Sequence, residues 1–365
     1  MKKLLLFAVA VSLVLTLSAC SKKTYEIALI TDVGTVTDKS FNQGAWEGVE
    51  KYAKEFDKTY KYYQPSDQNT DEYMKMIKQA VDNGAKIIVT PGFFFSNTIW
   101  LAQDKYPDVK FILLDAEPNN VTNWDTDPWE TMEDAAPSFT QNDNVLSIYY
   151  TEHESGFLAG YAAVKDGLTE LGFMGGKAVP AVVKFGYGFI QGANYAAAEM
   201  DITVNINYTY LGGFGPDAAF QAKAATWYSE GTEVIFAAAG GAGGSVMKAA
   251  EQEDGLVIGV DSDQADQSTT VITSAQKQLA PSVYESLKLF FAGDFPGGTV
   301  ALYNAENNGV QLPEDFSRFQ TFNAAMYAII FEDIQDGTVI VDDEFGVAVD
   351  VFALDYANVV VTPID

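Results

Sequence analysis

Carboxylates, one amide, one lysine and several glycines recur at one kind of place in this chain, just past short apolar runs. Asp32, then Asp38, Ser40, Phe41 and Asn42, follow Glu26–Thr31; Gly92 and Phe93 follow Lys86–Thr90; Asp115 closes Lys110–Asp115. Further on, the same position holds Gly175–Gly176, Gly212–Gly213–Phe214, Gly240–Gly241 and Asp261 with Asp263, and Lys277 follows Thr269–Ser274. Carboxylates accept hydrogen bonds from vicinal hydroxyls and ring N–H groups, while lysine and asparagine donate in return. Aromatic rings stack on planar bases, worth roughly 1–3 kcal/mol per base. Glycines let the backbone approach a ligand and present its N–H groups. Such a set suits a neutral, hydroxylated small molecule with a planar ring.

Each residue also has a plainer use. Asp38 or Ser40 can serve only as a helix N-cap, and Phe41 and Phe214, taken alone, read as core. Gly240–Gly241 and Gly243–Gly244 can simply make a tight turn and a helix start, because no phosphate-loop spacing accompanies them. The stretch from Asp261 to Asp266 lacks the glycine and distal glutamate of a calcium loop and reads as solvated. His153, between Glu152 and Glu154, has no nucleophile pattern around it and reads as a surface or domain-junction residue. Phe93–Phe94–Phe95 reads as packing, with room for one ring at a cleft.

Composition narrows the chemistry further. The chain has 365 residues, with 22 Lys and Arg against 50 Asp and Glu, a formal charge of −28. That surface disfavours nucleic acid, which demands cations at its phosphates. Arg318 is the single arginine, so no arginine cluster can clamp a phosphate or carboxylate. One histidine and one cysteine, Cys20, leave almost no scope for zinc sites or Cys–His nucleophiles. No cofactor is called for.

Strand-length apolar runs alternate with helical patterns. Leu171–Gly175, Val204–Leu211, Glu233–Ala238 and Leu256–Val260 continue the series begun by the first three runs. Trp46, Val49, Ala53 and Phe56 share one helical face, as do Tyr73, Ile77 and Val81. Strands that are apolar throughout and separated by helices imply parallel sheets covered on both faces. There are too many for one small sheet, and the length suits two lobes. The expected division is 26–149 plus about 262–296 for an N-terminal lobe, and 150–261 plus about 297–365 for a C-terminal lobe. Strand-like runs are expected near Val300–Tyr303, Val339–Val341 and Val347–Leu354. The acidic, proline- and tryptophan-bearing stretch from Glu117 to Asn144 reads as an ordered excursion near the lobe junction.

Residues 1–19 have a secretory pattern: Lys2 and Lys3, an apolar run from Leu4 to Thr16, and Leu17–Ser18–Ala19 before Cys20. The ending resembles the lipobox of bacterial lipoproteins. It implies lipidation of Cys20, with 20–25 as lipidated cysteine and tether, and a protein anchored at the extracytoplasmic face of the cell membrane.

A wider resemblance follows. Ala28–Val49 (ALITDVGTVTDKSFNQGAWEGV) is similar to the basic membrane protein family, the purine-nucleoside-binding lipoproteins of ABC importers. Val89–Phe93, Ile112–Pro118, Thr151–Ala163, Gly172–Ala193, Tyr210–Ala224, Ala238–Gly243, Ile258–Gln264 and Val271–Lys277 match in the same order. The resemblance implies an α/β type I periplasmic-binding-protein fold, two doubly wound lobes joined by a three-segment hinge that traps the ligand. It implies that Phe41 and Phe214 sandwich a purine whose ring edge Asp115 reads. Asp32, Asn42, Asp261 and Lys277 would hold base or ribose groups, with Gly240 lending backbone. It further implies no catalysis, an ABC permease as partner and action as a monomer. Phe185, beside Lys184 where a more basic pair is usual, is a weaker candidate. Two other readings stay open: a sugar or signal receptor on the same scaffold, and a nucleoside hydrolase, for which DVGTVTD is too sparse in aspartate.

Overall fold

Apolar runs without polar alternation must bury both faces, and the first such runs do so. Ile27–Ile30 (β1) is followed by Tyr60–Tyr63 (β2), Ile87–Pro91 (β3) and Lys110–Leu114 (β4). Strands β1, β3 and β4 bury nearly every side chain, as the inner strands of a covered parallel sheet require. Within β4, Phe111, Ile112, Leu113 and Leu114 are all fully buried. The computed structural model describes residues 24–32, 34–121, 138–343 and 356–364. The expected signal segment with Cys20, the tryptophans Trp124 and Trp129, and the run Val347–Leu354 lie outside the described residues.

The first sheet adds Val145–Tyr150 (β5), and helices Phe41–Glu55 (α1), Thr70–Asp82 (α2) and Ser96–Lys105 (α3) connect its strands. The chain then forms Glu152–Lys165 (α4), Glu170–Gly175 (β6), Pro180–Met200 (α5), Val204–Tyr210 (β7) and Ala218–Ser229 (α6). Val234–Phe236 (β8), Gly243–Glu253 (α7), Leu256–Asp261 (β9) and Val271–Lys277 (β10) complete that run. Leu279–Ala292 (α8) and Thr299–Tyr303 (β11) return to the first lobe, and Val310–Gln311 (β12), Ala324–Gln335 (α9) and Val359–Pro363 (β13) belong to the second.

The first sheet has the order β11-β5-β4-β3-β1-β2 and the second β12-β10-β9-β8-β6-β7-β13. Every pairing between these strands is parallel except β12 with β10. The two expected lobes are present, but their boundaries move. Residues 262–296 do not all join the first lobe, because β10 pairs with β9, Ser274 opposite Gly259. Residues 297–365 do not all join the second, because β11 pairs with β5, Thr299 opposite Leu146. The chain crosses at Thr151, near Gln278 and between Tyr303 and Val310. An apolar strand carries no mark of which sheet it will extend, so sequence reasoning misplaces both. Val339–Val341 is irregular chain rather than a strand.

The crossings brace one another. Thr151 N–H donates to Tyr303 O at 3.0 Å, Gln278 N–H to Gly309 O at 2.9 Å, and the Ser155 hydroxyl to Gln276 O at 3.2 Å. After the second crossing α8 packs on α1 so closely that a Cβ on Gly48 would lie 2.6 Å from Ala280 O. Helices α4 and α5 meet just as tightly, a Cβ on Gly188 falling 1.9 Å from His153 O. Glycine at such points lets whole helices touch along their backbones, so the first two crossings lead into rigid elements.

Candidate functional site

Ligands of open parallel sheets sit beyond the carboxyl ends of the strands, where the strand order reverses. Here those ends face each other across the seam between lobes, around about 720 Å³ of atom-free space that is partly open to solvent. The eight residues singled out from the sequence, Asp32, Phe41, Asn42, Asp115, Phe214, Gly240, Asp261 and Lys277, all line it. The first four come from the first lobe and the last four from the second.

Asp115 and Asp261 occupy matching places, one just past β4 and the other at the end of β9. Both have left-handed backbones, φ of 60° and 66°. That conformation is uncommon for a residue with a Cβ and clusters at functional sites, where the surrounding structure holds it. At the start of α1, Asp38 caps the helix, accepting from the N–H groups of Ser40, Asn42 and Gln43 at 2.9–3.0 Å. Ser40 is left to donate its hydroxyl to Asp261 across the seam. The Asn42 amide donates to Asp32 at 3.0 Å and to Asp38 at 2.9 Å, and its oxygen accepts from Asp32 N–H at 3.3 Å. Asn42 thereby orients two cavity carboxylates. The lobes also touch where the Gln264 amide donates to Lys39 O at 2.8 Å.

Lys277 is the electrostatic centre. Only 5% exposed, its ammonium lies 2.6 Å from Asp115 Oδ2 and 2.9 Å from Glu152 Oε1. The rings of Phe41, Tyr150 and Phe185 surround it, with centroids 4.8, 5.2 and 5.3 Å away. Burial works against its charge, but Asp115, Glu152 and Asp261 outweigh burial and hold it above the ordinary lysine range. Burial pushes the Asp115 carboxyl up to about 7 against the pull of Lys277, with Glu152 and Asp261 adding to the rise. Burial also raises Asp261, opposed by Lys277 and Ser40. For Glu152, burial is outweighed by Lys277 and Lys184, and its carboxyl ends below its usual value.

Sequence reasoning underestimates some residues. Glu152 looks like an ordinary acid in a helix's first turn, and nothing local reveals Lys277 as its partner. Phe93 and Phe94 both line the cavity, while Phe95 is buried against Tyr73 at 4.2 Å, so two rings of the triple reach the cleft rather than one. Phe185 lines it as well. His153 sits at the lobe junction, just past the Thr151 crossing, rather than at the surface; it is buried where α4 meets α5, and burial lowers it to about 4. Asp263 caps the Ala265 N–H at 3.0 Å and Asp266 lies 4.0 Å from Lys39, so the Asp261–Asp266 stretch is a capped loop.

Two α/β lobes, three crossings and a seam cavity define a type I periplasmic-binding-protein-like substrate-binding protein. The family of PnrA-like substrate-binding proteins of ABC transporters, Bmp, matches residues 26–335. A nucleoside-binding protein of an ABC transporter from Lactococcus lactis, BmpA, is 29% identical, over 88% of this chain and 90% of that one. Basic membrane protein A of Borreliella burgdorferi is 32% identical, over 78% of each chain. A solute-binding protein of an ABC transporter from Aeropyrum pernix shares the fold with a TM-score of 0.73 at 20% identity, over 88% of this chain and 94% of that one. The chain belongs to the Bmp family of ABC transporter substrate-binding proteins.

Replacing Lys277 tests the electrostatics of the site. Lys277→Met leaves buried carboxylates without their cation and should cost about 3–5 kcal/mol at pH 8. Without the ammonium the Asp115 and Asp261 carboxyls, already raised, rise further above their unfolded values and Glu152 loses the cation that lowers it, so stability is present at low pH and lost as pH rises. Denaturant unfolding should therefore show a smaller loss at pH 5 than at pH 8. An equal loss at both would contradict the charge assignment.

Proposed function

We propose that this protein captures nucleosides, purine nucleosides first among them, outside the cell and delivers them unaltered to an ABC permease. The observation that carries the reading is the cavity wall itself. Two half-buried phenylalanines, Phe41 and Phe214, come from opposite lobes, beside four carboxylates that suit ribose hydroxyls and ring N–H groups. The cavity's lysine is already shared by Asp115 and Glu152, which favours an uncharged ligand over a phosphorylated one. The relative from Lactococcus lactis, named as nucleoside-binding, supports the same reading.

The mechanism is hinge closure. Contacts from both lobes are complete only when the lobes meet, so the ligand favours the closed state by the difference in contacts it makes. Asp115 reads the base edge; Asp32 and Asp261 hold polar groups of base or sugar; Asn42 fixes Asp32 and Asp38. Gly240 has φ of 55° and brings its backbone close to Phe214. The protein acts as a monomer held at the membrane by lipid on Cys20, in keeping with the Leu17–Ser18–Ala19–Cys20 ending. Among the described residues no helix is long and apolar enough to cross a membrane.

Titration calorimetry with nucleosides, nucleotides, free bases and sugars tests the ligand class. Inosine, guanosine or adenosine should bind, and Phe41→Ala or Phe214→Ala should each weaken binding roughly tenfold to a hundredfold. Binding of sugars alone, or unchanged affinity in both variants, would contradict the reading. For the anchor, Cys20→Ala should move the protein from the membrane fraction to the soluble fraction of cells; a variant that stays with the membrane would contradict lipidation.

A further inference from the structure

Glu152 is 2% exposed and does not line the cavity, yet it shares a cation with a residue that does. Asp115 uses only Oδ2 on Lys277; its Oδ1 is buried and has no partner. Two carboxylates on one ammonium, with Asp261 nearby, leave an excess of negative charge that one proton would relieve. Among these acids, Asp115 carries the unpartnered oxygen at the cavity.

We propose that Glu152 is a positioning residue for ligand choice: by taking part of the Lys277 charge, it sets whether Asp115 meets the ligand as acceptor or as donor. An ionised Asp115 accepts from a ring N–H, as in 6-oxopurine nucleosides. A protonated Asp115 donates to a bare ring nitrogen, as in 6-aminopurine nucleosides. The inference rests on the nucleoside reading and deepens it.

The surroundings of Asp115 support this. It faces Lys277 at the end of β10, Glu152 on α4, Asp261 at the end of β9, and the phenols of Tyr149 and Tyr150 on β5. Asp32 shares the cavity, Asp38 acts on Asp261, and Lys184 on α5 and His153 on α4 act around Glu152. Both phenols are raised and His153 is lowered to about 4, so none of these three changes charge between pH 5.5 and 8.5, a range chosen around the Asp115 value of about 7. Burial, with Glu152 and Asp261 adding to it against Lys277, puts Asp115 within that range.

Carboxyl 13C NMR of the ligand-free protein, with Asp115 assigned by its loss in Asp115→Asn, reads the titration without any nucleoside. The expected midpoint is near 7 in the wild type and about one unit or more lower in Glu152→Gln. Glu152→Asp, which keeps the charge, should stay near the wild type. A wild-type midpoint in the ordinary carboxylate range, or equal midpoints in wild type and Glu152→Gln, would overturn the proposal. If Glu152→Gln does not fold, the wild-type midpoint decides. In calorimetry the inosine-to-adenosine preference should rise with pH through the Asp115 midpoint, by about tenfold per pH unit, and at any given pH be about tenfold or more higher in Glu152→Gln, whose midpoint is lower. A flat wild-type ratio would overturn the proposal. Failure of both nucleosides to bind would overturn the nucleoside reading instead, and the ligand-free titration would still decide the role of Glu152.

Discussion

A single ammonium, buried where three chain crossings meet, constrains the rest of this molecule. Lys277 ends β10 just before the second crossing, Glu152 begins α4 just after the first, and Asp115 belongs to the first lobe. Glu152 neutralises the cation from its own lobe, and Asp115 reaches the same ammonium only where the lobes meet. Leaving it or its partners alone in the interior would be far costlier than losing any surface ion pair. The same group faces the cavity, so the site and the alignment of the lobes draw on one set of charges.

The other features follow from that seam. Close helix contacts at Gly48 and Gly188 make the elements beside the crossings stiff, which confines bending to a few linking residues. Asp115 and Asp261 hold left-handed backbones at the ends of equivalent strands, one from each lobe. The strain is tolerated because neighbouring strands hold both backbones, while Lys277 fixes the Asp115 side chain and Ser40 that of Asp261. A cavity so arranged is walled by side chains from both lobes.

Much of this is legible in the sequence because the rule for open parallel sheets is positional. Polar residues just past apolar runs belong at the strand ends, and Asp32, Asp115 and Asp261 are found there. What stays hidden depends on long-range pairing. Nothing near Glu152 announces a lysine 125 positions later, and nothing in Val271–Lys277 or Thr299–Tyr303 says which sheet each extends. His153 reads as a surface or domain-junction residue, and the second of these fits, because it follows the crossing at Thr151 and the glycines of α5 bring that helix against its backbone. Asn42 reads as a ligand donor from its position, but its amide is largely occupied by Asp32 and Asp38.

A crystal structure of the protein grown with inosine tests the central claim most directly. The account predicts an intact nucleoside in the seam, its base between Phe41 and Phe214 and its ring edge against Asp115 Oδ1. Inosine bound outside the seam, or a base found cleaved from its ribose, would contradict it.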